Sequence, residues 1–196
     1  MVIISSCGFQ LKDKCGDLLK LVKNKKVFVC TNAIDRDIKK SQYLDKTKEN
    51  ISQLVARLDY GELTTDNIVK FANYYDCIYL AGGNVKLLSE MLNHKEIKEA
   101  LLKYINCGKL FITEGNASLI LIDSLDYINQ ITLNVSEEHD IYKSIDYLKI
   151  NTLALTSEKI IVHVDNLNFF RSACKLYERK NRVSLKYLFD GEFIVL

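Results

Sequence analysis

Proline is absent from all 196 residues, no C-x-x-C pair occurs among the six cysteines, and no apolar run reaches the length of a bilayer span. Each absence excludes something. Without a proline-rich tract, a low-complexity run or a repeat, nothing marks a linker, so a single domain over residues 1–196 is expected. Cysteines 7, 15, 30, 77, 107 and 174 lack the spacing to one another or to a histidine that a zinc site needs, so neither metal nor cofactor is expected. Cys30 and Cys77 fall in apolar strand patterns, where a thiol packs as a small hydrophobe, and reduced free thiols are expected. A membrane helix takes about 20 apolar residues. The longest runs here, Leu119–Ile122 and Ile160–Val164, are core-sized. Net charge is only +2 with dispersed lysines, which gives no pull on nucleic acid. The opening Met1–Ser6 is too short for a secretion signal. A cytoplasmic protein with no membrane or nucleic-acid partner is therefore expected, its oligomeric state left open.

What is present is an alternation of strand and helix patterns. Val2–Ser6, Lys26–Thr31, Cys77–Ala81 and Leu110–Ile112 read as strands. They are apolar throughout, as in parallel sheets covered on both faces. Between them, Lys12–Lys23, Gln42–Leu58, Val85–Leu92 and Glu96–Ile105 carry apolar residues at helical spacing. Leu58–Tyr60 reads as a short extended segment, and Thr64–Asp66 offer caps for a helix containing Ile68, Val69 and Phe71. This order argues for βαβ units, hence an α/β fold with a mostly parallel sheet. Beyond residue 125 the pattern changes. Ile131–Asn134, Thr152–Leu155, Ile160–Val164, Lys175–Arg179 and the end of the chain read as extended, predicting extra C-terminal strands at one sheet edge.

In open parallel sheets, ligands gather beyond the carboxyl ends of the strands. Two such ends are unusual: Ala81-Gly82-Gly83-Asn84 and Thr113-Glu114-Gly115-Asn116-Ala117-Ser118. A double glycine lets the chain turn sharply and turns amide N–H groups toward a ligand, or it is a tight turn with nothing bound. The second segment, strand then glycine then helix, has the layout of a nucleophile elbow. Its apex falls on Gly115, which has no nucleophile but tolerates the backbone such an apex needs. A positive φ at Gly115 and a position facing the Gly82-Gly83 turn are expected.

Together with Ile78–Leu80 before the double glycine, Leu87-Leu88 after it, Gly108–Ile112 before the elbow, and the later Leu153–Thr156 and Ile160–Val164, these segments resemble the peptidase E and cyanophycinase family of serine peptidases. The resemblance spans nearly the whole chain. It implies a flavodoxin-like three-layer α/β/α sandwich related to class I glutamine amidotransferases. It also implies hydrolysis of short aspartyl peptides or cyanophycin by a serine nucleophile and a histidine base.

Carried over residue by residue, the family elbow Gly-x-Ser-Ala-Gly falls on Thr113–Ala117, placing Gly115 at the serine position. The family's Pro-His segment falls on Asn134–Glu137, which holds no histidine, although His139 lies close behind. Gly82, Gly83, Asn84 and the N–H of Asn116 match the oxyanion and binding positions. The implied protein is a peptidase E-like member that is inactive or impaired. Two alternatives stand beside it. One is a pocket kept for binding a small acidic ligand or peptide. The other is a hydrolase with rearranged residues, Ser118 or a cysteine as nucleophile and His139 or Glu114 as base. Ser118 lies three residues beyond the apex, about one turn away, where a backbone-bonded role is expected. His94 and His163 are expected to be structural.

Overall fold

The computed structural model describes the backbone of residues 1–34, 38–134, 145–164 and 168–196. Strands β1 (Val2–Ser5), β2 (Lys26–Cys30), β3 (Arg57–Gly61), β4 (Cys77–Leu80) and β5 (Leu110–Glu114) lie parallel in the order β3-β2-β4-β5-β1. Further along, β6 (Ile160–Ile161) and β7 (Lys186–Tyr187) pair with each other, and β8 (Phe193–Val195) closes the main sheet antiparallel to β1. The helices are α1 (Gly16–Val22), α2 (Ile38–Ile51), α3 (Ile68–Tyr74), α4 (Val85–Leu92), α5 (Lys95–Asn106), α6 (Asp126–Thr132) and α7 (Asn168–Asn181).

Period-two alternation along the strands divides the core in two. Ile3, Val27, Val29, Tyr79 and Ile112 face a cluster completed by Leu18 and Val22 of α1 and Ile51 of α2. Ile4, Phe28, Ile78, Leu80 and Phe111 face a larger cluster built from α3 to α7. With helices on both faces, no residue of β4 or β5 is exposed, which is why those strands read as unbroken apolar runs. The result is the expected three-layer α/β/α sandwich, with the C-terminal strand at one edge. All six cysteines are free, and only Cys107 is exposed. Among the described residues no helix is long and apolar enough to cross a membrane.

Several segments differ from the sequence reading, among them Thr152–Leu155, which forms no strand. Ile131–Asn134 is the end of α6 and the turn after it, not a strand. Lys175–Arg179 lies inside α7, where Phe170, Ala173, Cys174 and Tyr177 form a buried stripe at helical spacing. The stripe begins five residues before the segment that looked extended, so the shorter window hid its period. The expected helix after the elbow is also different in kind, a 3-10 helix over Gly115–Leu121 that is buried except at Asn116.

Candidate active site

Strand β5 ends at Glu114 with extended backbone, and the next residue, Gly115, turns to φ +52°. That left-handed conformation costs a residue with a Cβ about 1–2 kcal/mol, and glycine almost nothing. The elbow is therefore formed as expected. It faces the Gly82-Gly83 turn, since a Cβ on Gly82 would stand 3.1 Å from the Glu114 carbonyl oxygen. Gly83, at φ +148°, packs its Cα against the Ala33 carbonyl, leaving no room for a side chain.

Over the apex stands His163. A Cβ built on Gly115 would collide with His163 Nε2, with Cε1 and Cδ2 of the ring at 3.2 and 3.3 Å on either side. The near-equal flanking distances mean that the imidazole points end-on at the apex. His163 itself has φ +56°. Its backbone N–H donates to Ser6 Oγ at 2.9 Å, and its Nδ1 lies 3.4 Å from Asp190 Oδ1. Ser6 Oγ in turn donates to the same Asp190 oxygen at 3.2 Å. Ser6, buried at the end of β1, thus ties the backbone of His163 to the carboxylate that faces its ring. Asp190 sits in the turn before β8, which is pinned by Gly191 N–H donating to Cys7 Sγ and Ser6 N–H donating to the Glu192 carbonyl.

His163 was expected to be structural; it instead faces the apex. The run Ile160–Val164 reads as a strand, but pairing stops at Ile161, and Val162 and Val164 are buried while the ring between them is half-buried. Asp190 and Ser6 carried no sequence signal beyond the turn-forming Asp190-Gly191 pair. The segment Asn134–Glu137, assigned to the base by resemblance, ends the described stretch at Asn134, and His139 lies outside the described residues.

The remaining site residues divide cleanly. Ser118 is 1 % exposed, and its Oγ lies 2.8 Å from Thr113 Oγ1, so it is a core hydrogen-bonding group. Ser118→Ala should cost about 1 kcal/mol of stability in chemical denaturation and change no reaction at the elbow. Glu114 is also buried, its carboxylate accepting from Tyr79 Oη and Gln10 Nε2. Burial pushes its carboxyl up to about 7, against the opposing pull of the Tyr79 hydroxyl and the Gly82 N–H. Each of its two carboxyl oxygens is thus engaged by a side chain of the fold. Asn84 caps α4 through Oδ1, which accepts from Lys86 N–H at 2.9 Å, while its own N–H donates to the Ala33 carbonyl at 2.8 Å. Its backbone N–H and Oδ1 are thereby used by the fold. Asn116 opens the 3-10 helix, where the first amides have no partner within the helix.

Cys7 is buried, and desolvation pushes its thiol up to about 11, which works against thiolate formation. Among the described residues no group of three or more His, Cys, Asp and Glu is arranged to hold a metal. Two clefts lie elsewhere. One of about 520 Å³ is lined by Met1, Lys20, Lys25, Asp76 and Lys109 at the amino ends of the strands. Another of about 370 Å³ is lined by Asn32, Glu62, Glu90 and His94 near the ends of β2 and β3. Neither contains Gly115 or His163, so the elbow is identified by its geometry and not by cleft size.

No protein of curated function matches the chain. Among solved structures it is similar to a candidate peptidase E from Listeria monocytogenes EGD-e, with a TM-score of 0.71 and 19% identity over 100% of this chain and 93% of that one. It is also similar to a peptidase from an acI-B1 actinobacterium, with a TM-score of 0.60 and 11% identity over 88% and 73% of the two chains. At those identities the likeness establishes the fold. The family model for Peptidase family S51 matches residues 1–196, and with that match over its whole length the chain belongs to peptidase family S51.

Proposed function

We propose that this chain is an S51-family protein that has lost hydrolysis through a serine acyl-enzyme while keeping the base side of the machinery. The observation that carries the reading is His163 Nε2 pointing end-on at Gly115, with Asp190 beside Nδ1. Nucleophile position, imidazole and carboxylate then stand in the order of a catalytic triad. Only the oxygen at the first position is missing. Removing the serine of such a triad costs many powers of ten in rate, because the groups act as a unit. A hydrolase rearranged around Ser118 is not supported, since that hydroxyl is committed to Thr113 inside the core. Retention as a pocket for small acidic ligands has a narrower basis, the amides at the start of the 3-10 helix.

The test is turnover. Incubated with Asp-X dipeptides, the family's implied substrates, the purified protein should release no amino acid above buffer. Dipeptide hydrolysis that vanishes in Ser118→Ala would overturn the reading.

A further inference from the structure

We infer that His163 is itself the nucleophile this site now presents, with activated acyl esters (thioesters and aryl esters, not amides) as its substrate class. The inference rests on the reading that the serine is lost. A serine at the apex would need the space that Nε2 enters, so the imidazole nitrogen stands near where the attacking oxygen would be. The side chain of His163 is 34% exposed, so the ring can swing back from Gly115 to meet an acyl group, whereas Ser118 and Cys7 are buried. Asp190 Oδ1 faces Nδ1 at 3.4 Å and, being a carboxylate, can only accept there. That places the ring proton on Nδ1 and leaves the lone pair on Nε2, at the apex. Ser6 fixes the arrangement from behind by accepting the His163 backbone N–H and donating to Asp190.

The chemistry closes without a further reagent. The Nε2 lone pair attacks the acyl carbon, an N–C bond forms, and the C–O or C–S bond breaks as the leaving group departs as phenolate or thiolate. The acyl-imidazolium keeps its Nδ1 proton beside Asp190. Water then adds to the acyl carbon, the N–C bond breaks, and its electron pair returns to Nε2. The products are the carboxylate, the phenolate or thiolate, and two protons. An amide is disfavoured because its amine must be protonated to leave, and the imidazole that would supply the proton is by then acylated.

The probe is p-nitrophenyl acetate. The chain has three histidines, at 94, 139 and 163. The double variant H94Q/H139Q, in which only His163 remains, should release p-nitrophenolate within twofold of the wild-type rate. H163Q should lose at least tenfold with its circular dichroism unchanged, and D190N several-fold, as expected of a positioning residue. Should H163Q not fold, diethyl pyrocarbonate treatment of H94Q/H139Q provides the second readout. It should abolish the esterase rate, and hydroxylamine should restore it. A wild-type rate no greater than that of the same concentration of free imidazole, or a folded H163Q within twofold of wild type, overturns the inference. A stable acetyl group found on a serine would instead sink the loss-of-serine reading beneath it, so the two failures are distinguishable.

Discussion

Gly115→Ser is expected to convert the protein from one that leaves Asp-X dipeptides intact to one that hydrolyses them. The substitution supplies the one group that the elbow lacks. It must overcome two obstacles, and both are small enough to be met. The first is backbone strain at φ +52°, worth about 1–2 kcal/mol of stability for a residue with a Cβ. The second is the collision between the new Cβ and His163 Nε2. Nε2 is the far end of a half-buried side chain, so the ring can retreat while Asp190 still faces Nδ1. A shift that leaves Nε2 roughly 2.6–3.2 Å from the new hydroxyl makes it a general base. The placement will be imperfect, so the gain over wild type should be roughly a hundredfold, far below the approximately million-fold effect of a fully formed triad. Adding His163→Ala should return the rate to the wild-type background. Resemblance alone pointed the other way, since no histidine falls at the expected base position and restoring the serine would then have achieved little. The imidazole above Gly115 reverses that expectation.

Stability should fall as pH rises from about 4.5 to about 7, and Glu114 should be the cause. Its carboxyl is held above its ordinary value of 4.5, at about 7, chiefly by burial. In the folded protein the proton is bound more tightly than in the unfolded chain, so in that window the unfolded state carries fewer protons and unfolding becomes easier as pH increases. The stabilisation is fully present below pH 4.5 and lost as pH passes about 7. A difference of that size corresponds to about 3 kcal/mol at most. Glu114→Gln, neutral and nearly isosteric, should flatten the profile while keeping an oxygen to accept from Gln10 or Tyr79. Urea denaturation of both proteins at pH 5 and pH 8 measures this. A wild-type protein more stable at pH 8 than at pH 5, by a margin that Glu114→Gln removes, would show that the paired, ionised carboxylate dominates instead.

How much of this was legible depended on the distance along the chain over which each feature is built. The sheet was readable because β2, β4 and β5 are buried on both faces and leave local apolar runs such as Val27–Cys30 and Cys77–Leu80. The elbow was readable because its requirement is local too: one glycine after a strand, where φ turns positive. The base side was not. Ser6, His163 and Asp190 are separated by 157 and 27 residues and meet only because β8 folds back onto β1 and β6 pairs with β7. No local spacing encodes such a meeting. His163 was further disguised by the hydrophobic residues around it, which promised a strand where the chain in fact breaks to φ +56°. The amphipathic period of α7 was hidden for a different reason, since the window Lys175–Arg179 sets exposed Leu176 and buried Tyr177 side by side between Lys175 and Glu178.

The most direct measurement is intact-mass spectrometry after treatment with a serine-directed fluorophosphonate, applied side by side to the wild type, Gly115→Ser, and Gly115→Ser with His163→Ala. With the apex serine as the missing piece and His163 as its base, the wild type should carry no stable serine adduct. Gly115→Ser should gain one adduct per chain, mapped to residue 115, and the double variant should gain none. A stoichiometric adduct on any serine of the wild-type protein would contradict the account.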